Sequence, residues 1–231
     1  DAGLKTFDVS NPSAPVQLAS VSTGAHAMQI KVADGYAYIA SREAGLLIYN
    51  VSNPTALTFV AQYDTPDYAY GLDVRLPYVF LGNRTDGLLV FDVSNPAAPV
   101  LVGSELCAHG RYVQVVGNYA YNAGLDFDVF DISNPADPVK IASLDTPNYA
   151  QDLRVVGNLA DVPDYYGGFL VIDISNPATP TLLTQIATAG PTDAVEVSST
   201  TAFVTQRGAP LLVFDLSDPK VAAQVPGLNH I

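Results

Sequence analysis

Apolar and polar positions follow one short-period pattern along the whole chain. Tyr70-Gly71-Leu72-Asp73-Val74 alternates apolar and polar at period two. Tyr78-Val79-Phe80-Leu81 is a dense aromatic and β-branched run, Leu88-Leu89-Val90-Phe91 is a second one closed by Asp92, and Pro99 to Gly103 follows the next turn. Each run is short and bounded by Gly, Asn, Asp or Pro, which predicts four consecutive antiparallel strands. No stretch holds a 3.6-residue apolar period long enough for a helix. The pattern then recurs. Phe7 to Pro12, Tyr49 to Pro54, Phe91 to Pro96, Phe130 to Pro135, Ile172 to Pro177 and Phe214 to Pro219 are near copies, with prolines 42, 42, 39, 42 and 42 residues apart. A fixed period near 42 residues marks an array of one repeated unit.

The turns carry their own physical reasons. Gly117-Asn118, Gly157-Asn158 and Asp34-Gly35 sit between the first and second strands of their units, where tight hairpins demand positive φ. In Ser-Asn-Pro the proline pushes Asn toward extended geometry and has no N–H for a ladder, so the third strand ends there. The acidic residue ahead of it (Asp8, Asp92, Asp131, Asp173, Asp215) is placed to accept free backbone N–H groups of the turn. A lone four-stranded sheet cannot cover both of its faces, whereas radial repetition lets each sheet cover the next. The expected fold class is all-β: a β-propeller of four-stranded antiparallel blades, one domain over residues 1–231. Five inner strands are expected (28–32, 70–74, 111–115, 151–155 and 193–197). Residues 3–9 and 15–21 supply the two outer strands of a partial blade, so a five-bladed and a six-bladed ring both stay open. Because the chain starts in mid-repeat, it reads as a fragment or processed part of a longer one.

Gly87-Leu88-Leu89-Val90-Phe91-Asp92-Val93-Ser94-Asn95-Pro96 and Gly168 to Pro177 resemble the LVIVD repeat, as do Val116 to Tyr121 and Gly71 to Val74. The resemblance covers essentially the whole chain. It implies a β-propeller, usually in secreted or surface proteins of bacteria and archaea. The family has no agreed activity, so the resemblance assigns no catalytic residue.

Composition narrows the partners. The charge of −13, from 10 basic and 23 acidic residues, provides no basic stripe to displace counterions from a phosphate backbone. Nucleic acid is therefore disfavoured, and so are anionic membrane surfaces. No apolar run approaches the ~18 residues a spanning helix needs, so no membrane insertion is expected. Cys107 is the one cysteine, which rules out an intrachain disulfide.

Candidate chemistry concentrates in the loops that feed the inner strands, because a propeller gathers them at one channel mouth. His26 and His109 share a repeat slot with Tyr68 and Tyr149, and two positions later stand Tyr70, Arg111 and Asp193. These seven form the candidate binding ring. Arg42, Arg84 and Arg207 share another slot and are read as closing their own hairpins. The fourth unit departs from the repeat with Asp164-Tyr165-Tyr166, read as a surface loop suited to protein or glycan contact. Farther along the inner strands, Lys31, Asp73, Gln114, Arg154 and Glu196 share a slot and are expected to pair around a narrow channel, Lys31 with both Asp73 and Glu196 if five blades close. No phosphate loop, Cys pair, zinc-protease helix or nucleophile elbow is present, and no cofactor or metal is expected.

The expectation is a non-catalytic extracellular or cell-surface interaction module of a prokaryote. It would bind protein, glycan or a neighbouring subunit through the mouth loops, with self-association through open strand edges as a further route. The alternative is a hydrolase or lyase with a histidine-containing, metal-dependent site at the mouth.

Overall fold

The computed structural model describes residues 3–225. The strands are β1 (Leu4–Asp8), β2 (Val16–Val21), β3 (Ala27–Ala33), β4 (Tyr36–Ser41), β5 (Gly45–Asn50), β6 (Thr58–Tyr63), β7 (Ala69–Arg75), β8 (Tyr78–Asn83), β9 (Gly87–Asp92), β10 (Val100–Glu105) and β11 (Tyr112–Val116). They continue as β12 (Tyr119–Ala123), β13 (Asp126–Asp131), β14 (Val139–Asp145), β15 (Arg154–Val156), β16 (Leu159–Asp164), β17 (Gly168–Asp173), β18 (Thr181–Ile186), β19 (Thr192–Ser198), β20 (Thr201–Gln206), β21 (Leu212–Asp215) and β22 (Ala223–Gln224). The only helical pieces among the described residues are two three-residue 3₁₀ turns, Arg42–Ala44 and Tyr165–Gly167. Every sheet is a meander in chain order: five have four strands, and β1–β2 form a separate two-stranded sheet. The expected five blades and one partial blade are thus present, all antiparallel. His230, read from the sequence as tail, lies outside the described residues.

The sheets stack face on face. Tyr38, Ala40, Leu46 and Ile48 of the first full blade interdigitate with Leu72, Val79, Leu81 and Phe91 of the second, all fully or almost fully buried. Phe80, Leu88 and Val90 meet Val113, Ala120 and Phe130 in the next interface. Phe169 and Val171 meet Val195, Ala202 and Phe214 in a later one, with the Phe169 and Phe214 rings stacked at 4.9 Å. The second and third strands bury nearly every residue because both of their faces meet a neighbouring blade. That is why their sequences are continuous apolar runs rather than alternating ones. Gln29, Lys31, Gln114, Asp152 and Arg154, from three different blades, line one central cavity of about 250 Å³. Inner strands of non-neighbouring units therefore face a common axis, which is the propeller arrangement and not a linear stack.

The repeated turn behaves as expected. Asp8, Asp92, Asp131, Asp173 and Asp215 each accept the N–H of the Ser two residues on at 2.8 Å, and Asn50 does the same at 3.0 Å. The bonds from Ser hold each of these five carboxyls below its usual range. Gly35, Gly117 and Gly157 take φ of 76°, 58° and 59°, the left-handed geometry the hairpins need.

Two expectations need correction. The fourth inner strand begins at Arg154 and not at Gln151. Its partner strand carries Pro163, which has no N–H to donate, so the ladder thins to the single bridge Ala150–Asp164. The inner-strand charges also pair only in part. Lys31 lies 3.4 Å from Asp73 and Arg154 pairs with Glu196, but no Lys31–Glu196 pair forms among the described residues.

Candidate functional site

The mouth loops are built by a repeated device that sequence inspection overlooked. Thr23, Thr65, Thr146 and Thr188 each donate their hydroxyl to the carbonyl two residues on, at 2.8–3.0 Å. A short side chain thus closes the loop on itself. The carbonyls of His26, Tyr68 and Pro191 then accept N–H groups from Arg42, Arg84 and Arg207 at 2.9–3.0 Å. These bonds fasten each mouth loop to the loop between the second and third strands of the same blade. Both loop families therefore share one rim, and the arginines lie among the tyrosines.

The result is a chain of stacked rings and guanidinium groups. Arg42 and Arg84 lie over the Tyr68 ring at 4.5 and 4.9 Å. Tyr68 meets Tyr70 edge-on at 6.4 Å. Arg111 bridges Tyr70, at 4.7 Å, and Tyr149, at 5.5 Å. The His109 ring lies 6.2 Å from Tyr149. At the other end, Glu43 is 3.2 Å from His26 Nδ1 and 3.9 Å from Arg42. Six of the seven predicted ring residues are thus linked through direct neighbours. Asp193 belongs to a second cluster, where both its oxygens accept from Arg207 Nε at 2.9–3.0 Å and Arg207 lies 5.2 Å over Tyr165.

The arginines do more than the sequence suggested. Arg84 donates to Asp67 at 3.0 Å. Burial would raise the Asp67 carboxyl, but the Tyr68 N–H and the Arg84 guanidinium outweigh it and hold it below its usual range. Arg42, Arg84, Arg111 and Arg207 bring four of the protein's ten basic residues to this rim. Arg42, Arg84 and Arg207 were noticed as a repeat slot but not placed in the ring. The missing signal was the backbone bond that folds one loop family onto the other, a contact across 14–17 residues.

The fourth-blade loop needs a correction. Asp164 is not a surface residue: it is fully buried at the end of β16 and accepts the Asn148 N–H at 2.8 Å. Burial, partly offset by that bond, holds its carboxyl above the usual range. Tyr165 is half-buried under Arg207, and only Tyr166, 73% exposed, reaches fully into solvent.

Metal and nucleophile chemistry find little support in this geometry. Among the described residues, no three His, Cys, Asp or Glu side chains are grouped to hold an ion. Cys107 sits in the loop-closing threonine slot but accepts from Asn122 Nδ2 at 3.5 Å. Burial and the neighbouring Asp128 push its thiol far up, away from the reactive thiolate.

A face-packed array of four-stranded meanders around a common axis, with one rim built from equivalent loops, defines a β-propeller. The family model of the LVIVD repeat matches residues 1–23, 24–65, 67–106, 109–146 and 147–188, so the chain belongs to the LVIVD-repeat family. A search of curated proteins found no match. Among solved structures, the chain is similar to a functionally unknown protein from Desulfotomaculum acetoxidans DSM 771 (TM-score 0.70, 12% identity, 90% of this chain and 72% of that one). It is also similar to the computationally designed Ika8 protein (TM-score 0.69, 10% identity, 87% of this chain), of which it spans 62%. The designed Ika4 protein matches over 66% of this chain and 94% of its own, with a TM-score of 0.56 at 14% identity. At such identities the likeness shows the fold alone.

Proposed function

We propose that the protein is a non-catalytic interaction module, extracellular or at the cell surface of a prokaryote, that binds a protein or glycan through the arginine–tyrosine rim. The carrying observation is the run of contacts from Arg84 through Tyr68, Tyr70 and Arg111 to Tyr149. Tyrosine offers flat contact area at low entropic cost, and arginine stacks on it while keeping donors free for a partner's oxygens. Arg111 supports the reading further: it is held between two rings and makes no ion pair among the described residues.

Binding of the purified protein to an array of neutral and acidic glycans and to a panel of cell-surface proteins tests this. Arg111→Ala with Tyr149→Ala is expected to weaken a hit at least tenfold, a loss of about 1.4 kcal/mol, with the melting temperature held. A hit indifferent to these changes would overturn the assignment to the rim. Turnover of ester, glycoside or lyase substrates that disappears in His26→Ala/His109→Ala would overturn the non-catalytic reading.

A further inference from the structure

One repeat position behaves unlike its four equivalents. Leu72, Val113, Leu153 and Val195, at the centre of their inner strands, are 0–6% exposed under the preceding blade. Ile30 occupies the same position in β3 and is 44% exposed, flanked by Met28 at 40% and Val32 at 64%. The preceding unit is the two-stranded sheet, and its β1 corresponds to a third strand. Leu4 of β1 packs on Ile39, Leu47 and Tyr49, as a third strand should. Among the described residues, nothing pairs with the other edge of β1. The space beside it is a notch of about 290 Å³ lined by Leu4, Lys5, Met28, Gln29, Ile30 and Ile39.

The hydrogen bonds across neighbouring inner strands show what the notch lacks. Gln29 accepts from Leu72 N–H at 2.6 Å, Asp73 from Val115 at 2.9 Å, Gln114 from Val155 at 2.7 Å and Asp152 from Val195 at 3.0 Å. Each full blade thus caps the free inner edge of the next with one side-chain oxygen. No printed bond of this kind reaches β3. The notch is therefore short of two things: a bulky apolar side chain in the place that Tyr38 or Phe80 fills for the next blade, and an acceptor in the place of Asp73 or Gln114.

We propose that this notch is a docking site for a two-stranded β-hairpin supplied by another polypeptide. Its second strand would pair antiparallel with β1 and its first would lie against β3. A second copy of this chain is a poor donor, because its five inner hairpins already form the inner halves of their own sheets. Lys5 stands where the other third strands carry Leu47, Leu89 or Leu170, and a lysine there guards the edge against indiscriminate pairing. The required occupant combines main-chain pairing with side chains at alternate positions, the logic of strand addition.

A labelled synthetic peptide of residues 69–83, the β7–β8 hairpin, is the probe. It carries Phe80 to cover Ile30 and Asp73 to accept from the β3 backbone. Titrated into the protein, it is expected to raise fluorescence anisotropy saturably and to slow hydrogen exchange of the β1 amides. Ile30→Asp in the protein should weaken binding about tenfold or more, and Phe80→Ala in the peptide should do the same without altering the protein. Absence of saturable binding up to about 1 mM peptide, or binding indifferent to both changes, overturns the proposal. So does protection of β1 in the free protein, which would mean the notch is filled within the chain. A concentration-dependent dimer that protects β1 would replace the hairpin with a second copy.

Discussion

Asp161 shows how one residue departs from its repeat. Tyr38, Phe80, Tyr121 and Phe203 fill its slot in the other second strands. Asp161 is almost fully buried, and its Oδ1 has no hydrogen-bond partner. Burial pushes its carboxyl up to about 7. An acid whose folded value lies above its unfolded value binds more protons when folded. Its penalty is therefore absent below about pH 4 and grows as pH rises toward 7. Asp161→Asn keeps the shape and removes the charge. It is expected to be more stable than the parent at pH 8 by about 1–3 kcal/mol, with the gap closing by pH 5. Urea unfolding at the two pH values measures this, and an equal gap at both would contradict it. The five turn aspartates have the opposite sign. Their lowered values contribute stability that is present above the ordinary carboxylate range and lost as acid takes pH through their folded values.

At the scale of the element, neighbouring strands approach each other through small residues. A Cβ on Gly82, in β8, would run into the carbonyl oxygen and carbon of Arg111 in the next blade. Gly82→Val is expected to cost about 1–3 kcal/mol through overpacking. It should also displace Arg111 from Tyr70, so rim binding falls along with stability. Denaturant titration and a rim-binding assay, run together, check both outcomes. The four-strand meander was legible from the alternation and the turn residues alone. The end of β15 was not. Its shortening depends on Pro163 lying opposite Gln151, and strand register is a pairing between segments that neither segment states by itself.

At the scale of the whole molecule, side chains act as substitutes for a neighbouring strand. Gln114 accepts from Val155 N–H at 2.7 Å and donates to its carbonyl at 3.2 Å, so its amide satisfies both backbone groups of a residue in the next blade. Val155 is buried, and leaving such groups unpaired costs about 1–3 kcal/mol. Gln114→Leu is therefore expected to lower stability by about that amount and to speed hydrogen exchange in β15 more than in β3. Uniform exchange across both strands would contradict this role. The sequence pointed to this slot as a ring of charges. Only Lys31–Asp73 and Arg154–Glu196 pair as ions, while Gln114 and Asp73 serve the backbone.

The unit, its four strands, its turns and the crowding of His26, Tyr68, Tyr149 and Arg111 toward one rim all follow from local pattern. They rest on alternation, backbone preference and a fixed period, each readable within about 42 residues. Three features arose only when the sheets packed. They are the arginines folded onto the tyrosines, the burial of Asp164 in a loop that looks polar, and the exposure of Ile30 among buried equivalents. Each depends on which surface lies opposite, and a residue's own neighbours in the chain carry no record of what will face it.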